Sequence, residues 1–254
     1  MIFYFSGTGN SRYVAERLGV LLDQQAVSIS DVMNAGKGAA AAGDSAGDAL
    51  TGIVAPVYFF GLPTIVNDFV SNYNINSEKV FTVLTYGGVS ANASGMLRKA
   101  LSKKGIEVTH SFEIRMPDNY VVKYPVPDKG VQEKLLADAE KATDRIPELL
   151  KKDKHLKKST FPGKMISSLA YWTYIRGRST SEFTVSKKCT GCGRCENICP
   201  ISVIKINGSV PARGQEKCIR CMACVHRCPE AAINIGKSRK NGRYVNPNVK
   251  FDDL

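Results

Sequence analysis

The hydrophobic pattern of the first 128 residues alternates between short apolar runs and helical faces. Strand-like runs lie at 1–5, 26–30, 50–60, 79–86 and 106–116, and the first of them, "MIFYF", has no polar alternation. Apolar residues at helical spacing follow Tyr13 and return at 63–73, 91–104 and 129–150. Strands that are buried on both faces and alternate with helices are typical of parallel sheets. The pattern therefore predicts an α/β fold with a doubly wound, five-stranded parallel sheet.

Charge and sulfur both change partway along the chain. Residues 1–128 carry 10 Lys and Arg against 11 Asp and Glu, whereas residues 129–254 carry 25 against 12, and all eight cysteines follow residue 188. This change in charge and cysteine content predicts at least two structural domains. No apolar run approaches the roughly 18–20 residues that span a bilayer, and no signal peptide precedes the first strand. We expect a soluble, cytoplasmic protein.

The loop "SGTGNS" (6–11) joins the first strand to the first helix. Glycines at 7 and 9 permit a sharp turn and close approach of a ligand, and a helix N-terminus favours an anion. The loop has neither a Lys nor the G-x-G-x-x-G pattern, which disfavours a nucleoside triphosphate or a dinucleotide. The alternative is a glycine-rich turn that binds nothing. The candidate ligand-binding residues are Ser6, Gly7, Thr8, Gly9, Asn10 and Ser11.

Three further loops fall at the same edge of the predicted sheet: "PVYFFGLP" (56–63), "TYGGVSAN" (85–92) and "RMPDNYV" (115–121). Together with these, the first loop resembles the phosphate loop of flavodoxins, which bind FMN at this edge. The resemblance implies that the 56–63 and 85–92 loops embrace the isoalloxazine ring, although the aromatic residues could instead be core. Asn119 is a further candidate for contact with the ligand. An ordinary turn at this position, without a ligand contact, is an equally expected alternative. The implied ring-site residues are Pro56, Val57, Tyr58, Phe59, Gly61, Thr85, Tyr86, Gly87 and Gly88.

The cysteines form two copies of the pattern C-x₂-C-x₂-C-x₃-C-P, "CTGCGRCENICP" (189–200) and "CIRCMACVHRCP" (218–229). This spacing is that of bacterial two-cluster ferredoxins, in which the fourth cysteine ligates the other cluster. Zinc is the main alternative, but zinc sites usually use paired C-x₂-C halves, and disulfides are disfavoured in a reducing cytoplasm. The spacing predicts one [4Fe–4S] cluster on Cys189, Cys192, Cys195 and Cys228, and a second on Cys218, Cys221, Cys224 and Cys199.

The whole chain resembles the flavodoxin–ferredoxin fusion proteins of anaerobic bacteria and archaea. The resemblance implies a flavodoxin-like FMN-binding domain at 1–152, a basic and amphipathic linker at 153–180, and a small α+β ferredoxin domain with two [4Fe–4S] clusters at 181–254. It implies electron transfer between FMN, the clusters and a partner. An FMN-dependent reductase with a small substrate is the alternative, but no acid or base beside the flavin loops supports it. A structural protein with vestigial cofactors is disfavoured because all eight cysteines are intact.

The net charge of +12 leaves the choice of partner open. The basic run "KKDKHLKK" (151–158) fits a solvated helix end, or a docking patch for an acidic redox protein or for anionic lipid. Free ferredoxins and flavodoxins are commonly acidic. The partners of those acidic proteins therefore cannot be assumed to bind this basic chain. Nucleic-acid binding is not expected, because no basic and aromatic module is present. The segment 161–178, with the single Trp172, is expected to pack between the domains rather than on a membrane. The oligomeric state is not predicted.

Overall fold

The computed structural model describes residues 1–35, 50–75, 77, 79–153, 155–156, 161–214 and 217–251. Part of the basic run at 151–158 therefore lies outside the described residues, and the two interpretations of that run stay open.

Five parallel strands form the first sheet, in the order β2-β1-β3-β4-β5. Phe3 pairs with Val27 on one side and with Ile53 on the other, which places β1 inside the sheet. This is the flavodoxin strand order, and it confirms the predicted fold class. The strands are β1 (Ile2–Tyr4), β2 (Ala26–Ser28), β3 (Thr51–Pro56), β4 (Val80–Tyr86) and β5 (Val108–Arg115).

Helices cover both faces of the sheet and bury one apolar core on each side. Phe69 and Leu97 belong to one core, and Leu18 and Leu136 to the other. The helix predicted over 129–150 is in fact two helices, because Pro147 has no N–H to continue the hydrogen bonding. A short helix that the pattern did not predict follows β2. The helices are α1 (Asn10–Leu22), α2 (Ile29–Asn34), α3 (Thr64–Asn72), α4 (Ala93–Ser102), α5 (Lys129–Asp144) and α6 (Ile146–Leu150).

Helix α7 (Phe161–Arg176) lies within the predicted linker and contacts both halves of the protein. Ser167 Oγ donates to the Phe60 carbonyl oxygen at 2.7 Å, and Tyr174 Oη donates to the Ile219 carbonyl oxygen at 3.0 Å. On the opposite side of the helix, Leu169 and Trp172 are exposed. No helix within the described ranges is long and apolar enough to cross a membrane.

The second half is built from two small antiparallel sheets and two short helices around a separate core. The pairs are β6 (Phe183–Val185) with β9 (Ile233–Ile235), and β7 (Ile204–Asn207) with β8 (Val210–Arg213). Helices α8 (Arg194–Asn197) and α9 (Ala223–His226) each carry the third cysteine of one run, and a 3₁₀ helix spans Gly236–Lys240. This small α+β arrangement agrees with the predicted ferredoxin-like part.

Candidate functional site

The loop between β1 and α1 presents backbone amides to a cavity. Gly9, with φ at +99°, precedes α1 and donates its N–H to Ser6 Oγ at 3.1 Å. The N–H groups of Gly7, Thr8, Asn10 and Ser11 have no acceptor among the described residues. The first turn of α1 contains no acidic side chain. An anion at this helix N-terminus would therefore meet donors without a competing carboxylate.

Two side chains predicted as ligand donors are engaged inside the protein. Asn10 Nδ2 donates to the Pro117 carbonyl oxygen at 3.1 Å, and Asn10 Oδ1 accepts from Tyr244 Oη at 2.7 Å. The Ser11 and Thr85 hydroxyls are 2.8 Å apart and form a buried hydrogen bond. These contacts fix the loop and leave its free backbone amides and the Ser6 and Thr8 hydroxyls as donors for a ligand.

A cavity of about 460 Å³ lies beyond the carboxyl ends of β1, β3, β4 and β5. This volume is in the range of cofactor and small-molecule sites. Gly9 and Gly61 do not line it: a Cβ atom on Gly9 would meet Asn246, and one on Gly61 would overlap the Tyr171 ring. The predicted residues that do line it are Ser6, Gly7, Thr8, Asn10, Ser11, Pro56, Val57, Tyr58, Phe59, Thr85, Tyr86, Gly87, Gly88 and Asn119.

The aromatic residues of this cavity differ in how they are held. Phe59 has φ at +50°, and its ring stacks on Tyr174 at a centroid distance of 5.0 Å. Tyr58 meets Phe5 edge-on at 6.3 Å. Tyr86, like Phe60 and Tyr124, lines the cavity without a ring contact to another aromatic residue among those described, so its ring is available to a flat ligand.

Sequence reasoning missed one side of the cavity. The chain beyond Asn119 supplies Tyr120, Lys123 and Tyr124, and Arg220 reaches the cavity from within the second cysteine run. The position of Tyr120 could have been anticipated, because it follows Asn119 in the same loop. No local pattern signals Arg220, since its neighbours in sequence are interpreted as a metal-binding run. The other lining residues that were missed are Phe60, Val89, Met116, Pro117 and Asp118.

The eight cysteines form no disulfide bond and line two separate cavities. The grouping of the cysteines combines three from one run with the fourth from the other. One cavity is lined by Cys189, Cys192, Cys195 and Cys228, and the other by Cys199, Cys218, Cys221 and Cys224.

The chemistry of these thiols fits iron–sulfur clusters. Burial raises the pKa of Cys195 to about 11 and raises the pKa of Cys221 and Cys224 as well, so a bound metal must displace their protons. Among the described residues, no three His, Cys, Asp or Glu side chains converge on one point as a single ion would require. A single zinc ion draws its thiolate ligands to about 2.3 Å, whereas the four thiolates of a cubane bind four different irons.

The second cysteine cavity adjoins the flavin-type loop directly. A Cβ atom on Gly7 would overlap the Cys221 carbonyl oxygen, so only glycine allows this approach. Ile219, Cys221 and Ala223 belong to the same apolar core as Phe5 and Leu62 of the first domain. The two halves therefore share a packed junction at this point.

A hydrogen-bonded path also joins the two halves through His226. Its Nδ1 accepts from the Tyr244 N–H at 2.9 Å, so its Nε2 carries the proton and donates to the Asn119 carbonyl oxygen at 2.8 Å. Burial lowers the pKa of His226 to about 4, which keeps the ring neutral near pH 7. Asn119 in turn donates from Nδ2 to Thr8 Oγ1, at the cavity.

Comparisons with known proteins agree with this architecture. A flavodoxin domain model matches residues 1–145, and a 4Fe-4S dicluster domain model matches residues 182–240. A search of curated proteins finds no match. The Trp repressor binding protein of Bacillus subtilis is similar at 12% identity, over 57% of this chain and 96% of that one, with a TM-score of 0.38. The two-electron reduced flavodoxin of Megasphaera elsdenii is similar at 16% identity, over 55% and 98%, with a TM-score of 0.28. Likenesses this low identify neither a ligand nor an activity.

The fold and the two matched domains define an electron-transfer protein that contains FMN and iron–sulfur clusters. The chain belongs to the flavodoxin domain family, whose model covers more than half of it, and it continues into a 4Fe-4S dicluster domain.

Proposed function

We propose that this protein converts between one-electron and two-electron transfer, with FMN next to the second of two [4Fe–4S] clusters and the first cluster facing a partner. The observation that carries the proposal is the contact between Gly7 and the Cys221 carbonyl, which brings the phosphate loop against the second cysteine run.

The proposal assigns a ligand set to each cofactor. The amides of the 6–11 loop bind the FMN phosphate, and the loops 56–59, 85–88 and Asn119 surround the rest of FMN, since all of them border one cavity. The first cluster takes Cys189, Cys192, Cys195 and Cys228, and the second takes Cys218, Cys221, Cys224 and Cys199, the two groups that the cavities bring together.

When bound, FMN takes up two electrons with up to two protons, while each cluster passes one electron at a time. The protein supplies a short and dry route between them. Ile219 and Ala223 are buried beside Cys221, so water is excluded from the junction. Tyr174 fixes this segment by its hydrogen bond to the Ile219 carbonyl.

In the proposed path of electron transfer, FMN lies at one end and the first cysteine cavity lies at the other, which is exposed to solvent. Cys192 is exposed, whereas Cys221 is buried. The exposed Lys187 and Lys188 precede the first run and favour an acidic redox protein as the partner that docks there.

The decisive experiment is to purify the protein without oxygen, quantify iron, sulfide and FMN, and mix it rapidly with a one-electron reductant such as reduced viologen. We expect about eight irons and one FMN per chain, with cluster bleaching ahead of flavin reduction. Flavin reduction ahead of the clusters would contradict the proposed order. Zinc without colour would overturn the function altogether.

A further inference from the structure

Arg220 adopts a backbone conformation that the corresponding position of the first run gives to glycine. Both residues precede the second cysteine of their run, with φ at +55° for Arg220 and +72° for Gly191. Glycine adopts positive φ without cost, while an arginine is strained there. Strain of this kind is retained where the side chain has a role.

The Arg220 side chain is held rigidly. Its Nη2 donates to the carbonyl oxygens of Gly177 at 3.0 Å and Ser179 at 3.1 Å, and its Nη1 lies 3.9 Å from a carboxylate oxygen of Glu182. Only 13% of the side chain is exposed. A planar guanidinium anchored in this way keeps its charge in one place.

Arg220 also touches both proposed redox centres. Its side chain lines the flavin cavity, and its backbone N–H donates to Cys218 Sγ at 3.2 Å. Its charge partly offsets the rise that burial causes in the pKa of Tyr120, another residue of the cavity.

We propose that Arg220 is a residue of the flavin site and that its fixed charge raises the reduction potentials of both FMN and the second cluster. This rests on the proposed function, because it requires FMN in the cavity and a cluster on the second cysteine set. A positive charge stabilises the added electron at either centre, and hydrogen bonds to cluster sulfur tune the potential in the same direction. Reduction potentials of both centres are thus raised together by one residue.

The chain offers a matched control in Arg194. It lies in the first cysteine run and lines the first cluster cavity but not the flavin cavity. Lys123 also lines the flavin cavity, and Glu182 partly offsets the Arg220 charge, so neutralising Arg220 removes only part of the local positive field.

The test compares Arg220→Gln, Arg220→Lys and Arg194→Gln by redox titration, with visible spectra for FMN and electron paramagnetic resonance for the clusters. In Arg220→Gln we expect the potentials of FMN and one cluster to fall, each by about a tenfold change in the one-electron equilibrium, or about 59 mV. Arg220→Lys should recover part of each shift. Arg194→Gln should lower the potential of the other cluster and leave FMN unchanged.

An unchanged FMN potential in Arg220→Gln, or equal shifts in both arginine variants, would overturn the proposal. Arg220→Gly, which suits the positive φ, removes the charge without the backbone strain and should give the same shifts if Arg220→Gln folds poorly. Iron and FMN are quantified first in the unaltered protein. Missing cofactors there would refute the proposed function, whereas full cofactors with unmoved potentials would refute the Arg220 proposal alone.

Discussion

The two cysteine runs have the same spacing but different surroundings. In the first run, Gly191 and Gly193 take the positive φ values and Cys192 is exposed. In the second, Arg220 and Met222 take the corresponding positions, at φ +55° and +61°, and Cys221 is buried in the core of the flavodoxin domain. The comparison teaches that two runs of identical spacing can have opposite exposure, because the packing around each run and not its spacing determines whether it lies at the surface or against the flavodoxin domain.

The strongest test of this difference replaces the second cysteine of each run. We expect Cys192→Ser and Cys221→Ser each to lose about half of the iron, since each would remove a ligand of one of the two proposed clusters. Only Cys221→Ser should weaken FMN binding, by about tenfold or 1.4 kcal/mol, because Cys221 packs on the phosphate loop. Iron analysis and FMN titration measure both effects. Equal FMN affinity in the two variants would show that the runs do not differ in this respect.

An effect on stability is expected from the glycine that meets the second run. In Gly7→Ala the new Cβ overlaps the Cys221 carbonyl oxygen, and overpacking of this kind costs about 1–3 kcal/mol in the free energy of unfolding. Gly130→Ala in α5 is the control, since nothing lies within 4 Å of its Cβ position, it does not line the flavin cavity, and an alanine there should not destabilise the protein. Denaturant midpoints of the cofactor-bound proteins check this, and indistinguishable midpoints would argue against the junction.

An effect on the rate of reduction, which salt should remove, is expected at the exposed first run. Reversing the charge of Lys187 and Lys188 to Glu should slow reduction by an acidic electron-carrier protein about tenfold at low salt, and high salt should remove the difference. The double variant Lys134→Glu, Lys141→Glu changes the net charge equally on exposed positions of α5 and serves as the control. Stopped-flow rates that fall equally in both variants would place docking elsewhere than the first run.

Local patterns were sufficient to predict much of the fold. Buried strands and the amphipathic face of α1 depend on residues close in sequence, and the cysteine spacing depends only on the geometry of one loop. The break at Pro147 could have been predicted from its missing N–H, whereas α2 has too few residues for a periodic signal.

The rest of the candidate site depends on contacts between distant residues. Arg220 enters the flavin cavity only because the second run packs on Gly7, and Asn10 is occupied by residues from the far end of the chain. Neither contact can be predicted from the few residues that surround Arg220 or Asn10 in the sequence. The sequence predicted both the helix N-terminus and four side chains of this loop as ligand donors, whereas in the structure the side chains of Asn10 and Ser11 are engaged inside the protein.

The hydrogen bonds from Tyr244 and Asn246 to Asn10 span 234 and 236 residues of sequence. At about 5–20 residues per second, a ribosome completes that interval in roughly 10–50 s, during which the phosphate loop lacks these partners. Loop closures this long also slow folding. The phosphate loop therefore gains these two partners only after the cysteine-rich segment between them has been synthesised.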